Sequence, residues 1–263
     1  MFYIQDPTDR DSVFLRELLS EACVGAIRGG GTYAFASGEG IKDLFADKNF
    51  SRFLSEGHYT LVVGMDEITN EFSLNMMERF KKKYEGHLEV KTYVHNGEGS
   101  TFHPKFSWFE KEDGGILVLG SGNLTKKAMA RNREAYSVVS YGKEDFARVM
   151  ATWQHWYDHS GEYLFDLNDP VSRAKGRIND EKLRYAVAAK MEMERDTSLH
   201  DELDLLDEVY RKQAGGQFFK EKKKQAPPKK SERREYRFSR RRRSVALFFY
   251  DLRDLFRYAK RKK

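Results

Sequence analysis

The chain has 263 residues, 40% of them hydrophobic and 14% aromatic, which is enough for one substantial core plus an appendage. A single cysteine, Cys23, excludes a disulfide framework and a cysteine-rich zinc site; it reads as a small buried apolar residue. The net charge of +6 hides a division: residues 211–263 hold 21 Lys/Arg against 5 Asp/Glu, a net of +16, so the rest, with 26 against 36, carries −10.

Taken in chain order, residues 1–28 read as a helical lead-in, with Val13, Phe14, Leu18 and Leu19 near helical spacing. Asp6, Asp9, Arg10 and Asp11 interrupt any signal-peptide pattern. No apolar run reaches the ~20 residues of a membrane span, so a soluble, cytoplasmic protein is expected. Gly29, Gly30 and Gly31 read as a turn, because no Gly-Lys-Ser/Thr follows to make a phosphate loop. A first strand is expected over 32–36, then a loop at 37–40, either a plain connection or one bordering the site, and one amphipathic helix over 41–54. The continuous apolar run at 59–64 suits the middle of a sheet. A helix over 72–84 follows, then strands at 88–94, 102–109 and 116–119, a helix from about Leu124, a strand at 135–140 and a helix over 146–156. Trp153 and Trp156 read as core or interface anchors. Alternating strands and helices give an α/β layered domain over 29–165, a central mixed sheet flanked by helices. Residues 171–213 read as charged helices. Residues 214–263 form a basic extension ending in an amphipathic helix with Val245, Phe248, Phe249, Leu252, Leu255 and Phe256 on one face.

The chemistry concentrates at five positions. His103 and Lys105 stand two apart in an expected strand, on one face. The run Ile116-Leu117-Val118-Leu119 leads into Gly120-Ser121-Gly122-Asn123, and Glu134 follows. A cation, an amide, a hydroxyl, a carboxylate and an imidazole at one rim are the groups that hold and attack a phosphate. His155 and His159 lie four apart, but no His-Glu-x-x-His pattern or cysteine partner accompanies them, so no metal site is assigned.

In order and spacing, His103, Lys105, Ser121, Asn123 and Glu134 resemble the phospholipase D superfamily, whose signature is HxK followed by GSxN and a later carboxylate. The chain departs from the long form of that motif at Glu110, five residues after the Lys, where the long form has Asp. Some nuclease branches of the family also lack that Asp. The form Phe-His-Pro-Lys-Phe with Gly-Ser-Gly-Asn-Leu-Thr looks like the subgroup found in restriction endonucleases and beside helicase domains.

The resemblance implies a phosphodiesterase that needs neither metal nor cofactor. One His attacks phosphorus to form a phosphohistidine, and a second protonates the leaving group. Lys105 and Asn123 would bind phosphate oxygens, Ser121 would support the site, and Glu134 would accept the Nδ1 proton of His103. The other six histidines lack a Lys two residues on. The second imidazole is therefore expected from a two-fold homodimer with the site at its interface. A DNA endonuclease acting against foreign DNA is the favoured expectation. Lys222, Lys223, Lys224, Arg240, Arg241, Arg242 and Arg243, interleaved with aromatic residues, are the expected phosphate contacts. The alternatives are a phospholipase D-type lipid hydrolase whose basic amphipathic tail recruits it to membranes, and a noncatalytic nucleic-acid-binding adaptor.

Overall fold

The five motif positions gather at one rim of an eight-stranded mixed sheet. The computed structural model describes residues 1–95, 99–193 and 206. The tail lysines and arginines, and the amphipathic helix expected near the end, lie outside the described residues. The strands are β1 (Phe2–Gln5), β2 (Arg28–Tyr33), β3 (His58–Gly64), β4 (Leu88–Tyr93), β5 (Lys105–Lys111), β6 (Gly114–Gly120), β7 (Glu134–Gly142) and β8 (Leu164–Asp166). The helices are α1 (Leu15–Ala22), α2 (Gly38–Phe45), α3 (Lys48–Glu56), α4 (Glu71–Lys83), α5 (Lys126–Ala130), α6 (Lys143–His159) and α7 (Pro170–Met193).

The strand order is β1-β7-β6-β5-β2-β3-β4-β8. β2, β3 and β4 run parallel, and the remaining neighbours pair antiparallel. Residues Met1–Lys182 form one compact unit. Side chains alternate across the sheet, as pleating requires. In β3, Tyr59, Leu61 and Val63 join the larger core with α1, α2, α3 and α4, whereas Val62 joins a second cluster with Trp108, Phe146 and Trp153. Helices therefore cover both faces, with α6 supplying the second layer, as the strand–helix alternation implies. Among the described residues no helix is long and apolar enough to cross a membrane.

Four expectations need correction. The lead-in is not helical throughout: Phe2–Gln5 is a strand that pairs with β7 at the sheet edge. Its aromatic and branched residues favour extended backbone, and β7 offers an open edge. Gly29, Gly30 and Gly31 make no turn. They lie inside β2, the strand between β3 and β5. Large rings crowd onto them: a Cβ on Gly30 would lie 2.7 Å from the Trp108 indole, and one on Gly31 2.2 Å from the Tyr59 hydroxyl. Glycine here makes room for aromatic packing. The single helix expected over 41–54 is two, because Asp47 caps α3 by accepting from the Asn49 and Phe50 amides. The loop at 37–40 is the start of α2, with Ser37 accepting from Gly40 N–H as its N-cap.

A fifth difference concerns the motif itself. β5 begins at Lys105, so His103 precedes the strand. Pro104 has no N–H for a ladder and holds the residue before it extended, so pairing starts one residue later.

Candidate active site

The topology brings the motif together. β5 and β7 begin where β2 and β6 end: Lys105 is opposite Tyr33, and Gly120 is opposite Tyr136, two residues into β7. The carboxyl ends of β3 and β4 reach the same rim, because they run parallel to β2.

Lys105 is buried, at 8% exposure, and its Nζ donates to the His103 carbonyl at 3.0 Å. Burial pushes its ammonium down to about 8, and the negative charge of Glu134 opposes that shift. His103 is exposed, with its ring edge-on to Phe35, centroids 6.3 Å apart. Phe35 also anchors the second half of the motif. Its N–H donates to Asn123 Oδ1 at 3.1 Å, and its carbonyl accepts from Leu124 N–H at 3.1 Å. With Oδ1 committed, the amide of the buried Asn123 has its donor end for an anion.

The small residues around Ser121 answer to one side chain. A Cβ on Gly122 would lie 2.0 Å from the Tyr136 hydroxyl, so the buried Tyr136 requires glycine there. Ser121 Oγ donates to Glu134 Oε2 and accepts from Ala135 N–H at 3.1 Å. Asn132 Nδ2 donates to Glu134 Oε1 at 2.9 Å. Glu134 is thus held by Ser121 and Asn132, and its charge acts on Lys105. Glu110, where the long motif has Asp, is near the far end of β5 and pairs with Arg28. At the ~3.3 Å rise of a strand, five residues put it well away from the rim.

Sequence reasoning missed two supports. Gln5 is fully buried; its Nε2 donates to the carbonyls of Ala128 at 3.0 Å and Asn132 at 2.8 Å, and its Oε1 accepts from Leu15 N–H at 2.8 Å. It ties β1 and α1 to the α5–β7 connection that carries Asn132 and leads into Glu134. Asp66, just past β3, accepts from Phe102 N–H at 2.8 Å and from His95 Nε2 at 3.2 Å. It thereby fixes the approach to His103 and orients a second imidazole at the rim. Neither stands inside a motif, so only their places in the fold reveal them.

Of the tryptophans, Trp153 is core, at 7% exposure, while Trp156 is half-buried and faces a cleft with His103. His155 and His159 stand one turn apart on the exposed side of α6, ring centroids 4.2 Å apart. No group of three His, Cys, Asp or Glu able to hold a metal is gathered among the described residues.

No protein-family model matches the sequence, and no curated protein matches it. Solved structures do show similarity. Nuc, a phospholipase D family member from Salmonella typhimurium, is 19% identical over 63% of this chain and 95% of its own, with a TM-score of 0.43. NucT from Helicobacter pylori is 14% identical over 63% of this chain and 97% of its own, TM-score 0.43. The phosphatidylserine synthase of Haemophilus influenzae is 12% identical over 67% of this chain but 44% of its own, TM-score 0.42. In its motif residues the chain resembles the phospholipase D superfamily; the particular activity has to come from the site.

Proposed function

We propose that this protein is a metal-independent phosphodiesterase, and most specifically a DNA endonuclease that works through a phosphohistidine in a homodimeric site. The observation that carries the reading is the convergence of a buried cation (Lys105), an amide with its acceptor end committed (Asn123) and a braced carboxylate (Glu134) at the rim that bears His103. Such a group set binds the non-bridging oxygens of a diester beside an imidazole nucleophile.

In this mechanism an imidazole nitrogen of His103 attacks phosphorus, and the bond to the leaving oxygen breaks. The second subunit's copy of His103, protonated, gives its proton to that oxygen. Water then attacks the phosphohistidine, losing a proton to the same second imidazole, and the P–N bond breaks to restore His103. Lys105 and Asn123 stabilise the charge on the phosphoryl oxygens throughout. Glu134 sustains the charge of Lys105 and accepts a hydrogen bond from Nδ1–H of His103, stabilising that ring as it becomes cationic. No step calls for a metal ion or a redox cofactor.

The single motif supports the dimer, since one chain supplies one His of this kind. The basic residues at 222–224 and 240–243 support nucleic acid as the partner, counterbalancing the acidic body. The same tail would serve a lipid hydrolase docked on anionic membrane, which is the alternative reading.

The deciding experiment is cleavage of plasmid, single-stranded DNA, RNA and phosphatidyl lipid vesicles in EDTA, with His103→Ala alongside. EDTA-resistant DNA cleavage lost in the variant is expected. Lipid cleavage alone favours the hydrolase, and inactivity on every substrate favours a binding adaptor. A catalytically active monomer in sedimentation would refute the shared site.

A further inference from the structure

Beside His103 the rim opens into a cleft of about 460 Å³, lined among others by Tyr93, His95, Phe102, Trp156 and Tyr163. That volume lies within the range of small-ligand sites. Its walls are mostly rings, and Tyr93, Trp156 and Tyr163 are each only half-buried. Tyr93 stacks on Phe102 with centroids 4.0 Å apart and planes 12° apart. Trp156 lies within 18° of Tyr93 and 22° of Phe102, and Tyr163 within 26° of Tyr93. The cleft thus holds a group of nearly parallel aromatic planes next to the imidazole of the motif, with Trp156 beside the stacked Tyr93–Phe102 pair, centroids 6.3 and 6.2 Å away. At its polar side His95 is held by Asp66, which also bonds the Phe102 amide, so the wall and the approach to His103 are fixed together.

The tilt of the rings decides what they fit. A quaternary ammonium headgroup is bound where faces enclose it from several directions. Tyr93, Phe102 and Trp156, whose planes lie within 22° of one another, present faces in one direction, which suits a flat guest laid against them. A nucleobase is such a guest, and base–aromatic stacking is indifferent to sequence.

We propose that this cleft receives a nucleobase adjoining the phosphate attacked by His103, making the substrate unpaired or locally opened nucleic acid. A base paired inside a duplex cannot enter it without leaving the stack. The proposal rests on the phosphodiesterase reading and narrows it to one substrate class.

The test uses the full-length protein and the dinucleotide d(TpT), which has a single phosphodiester, with two analogues that lack the base on one side or the other. Stacking predicts that removing one of the two bases lowers wild-type kcat/KM by about fivefold to a hundredfold. Trp156→Leu loses a comparable factor on d(TpT) and nothing further on the baseless analogue, whereas Trp156→Phe retains most of the wild-type discrimination. Tyr163→Leu repeats the cycle should the tryptophan variant fail to fold. The proposal is overturned if neither base matters by more than about twofold in wild type, less than any stacking contact. It is equally overturned if the base penalty survives unchanged in the leucine variants, or if tetramethylammonium competes where thymidine does not. If wild type cleaves no diester, the phosphodiesterase reading fails first. Calorimetric binding of the same dinucleotides then decides the cleft: tighter binding with the base present sustains it, and equal binding sinks it.

Discussion

Lys105 sets a pH limit on the chemistry proposed here. Burial lowers its ammonium to about 8, against the pull of Glu134, so the charge that binds phosphate is lost as pH rises through that value. For a single group of this kind the charged fraction falls from about nine-tenths at pH 7 to about one-tenth at pH 9. Because kcat/KM reports the free enzyme, loss of the Lys105 charge should lower it about tenfold between about pH 7 and about pH 9, in addition to any fall from deprotonation of the imidazolium acid, and the Lys105 share is read from the variants. Glu134→Gln removes the charge that raises Lys105, so the limb moves to lower pH. Lys105→Arg keeps its charge across the range, so the limb flattens, at reduced activity because a forked guanidinium replaces a point charge. The assay is initial-rate cleavage of a labelled single-stranded oligonucleotide in EDTA, at constant ionic strength, from pH 6 to about 9.5. Loss of fold would not mimic the effect through this group. A lysine with a depressed folded value binds fewer protons folded than unfolded above about 8, so its contribution to stability rises with pH. An alkaline limb that stays in place in Lys105→Arg would refute the assignment of Lys105 as the phosphate-binding cation.

Three further outcomes follow from the packing and the charge distribution. Gly31→Ala puts a methyl 2.2 Å from the Tyr59 hydroxyl and 2.7 Å from Ser107 Oγ, where Tyr33 and Tyr59 both bond Ser107, at 2.7 and 2.8 Å. Urea unfolding should show a loss of about 3 kcal/mol, toward the upper part of the overpacking range, and a loss below about 1 would contradict the strand assignment. Gln5→Ala strands a buried amide and two carbonyls. It should cost about 2–3 kcal/mol and slow cleavage through the loosened Asn132–Glu134 pair, with unchanged stability counting against it. Deleting residues 226–263 should abolish duplex binding in a gel-shift assay while short diesters are still cleaved; retained binding would remove the tail from the account.

How much was legible in the chain depended on whether a signal was local. β3 reads as a central strand because its apolar run is continuous, and the structure places it between β2 and β4. The five motif residues announce themselves by type and spacing, and the sheet's mixed direction brings their ends together. What stayed hidden depends on partners distant in sequence. Gly29–Gly31 looks like a turn until Trp108 and Tyr59 are seen lying over it. Phe2–Gln5 is a strand because β7 lends it an edge 130 residues away. Spacing places His103 in one strand with Lys105, yet Pro104 delays the pairing and leaves the imidazole exposed while the ammonium is buried. Gln5 and Asp66 carry no motif at all, and the Tyr93–Phe102–Trp156 group is assembled from β4, the segment before β5, and α6.

The covalent role of His103 is the claim on which the rest turns, and rapid acid or base quenching followed by mass spectrometry tests it. During turnover of DNA in EDTA, the peptide containing His103 should carry a nucleotidyl adduct that is acid-labile and base-stable. It should be absent from His103→Ala. Steady cleavage with no adduct on that peptide, or an adduct that persists in the variant, would contradict the account.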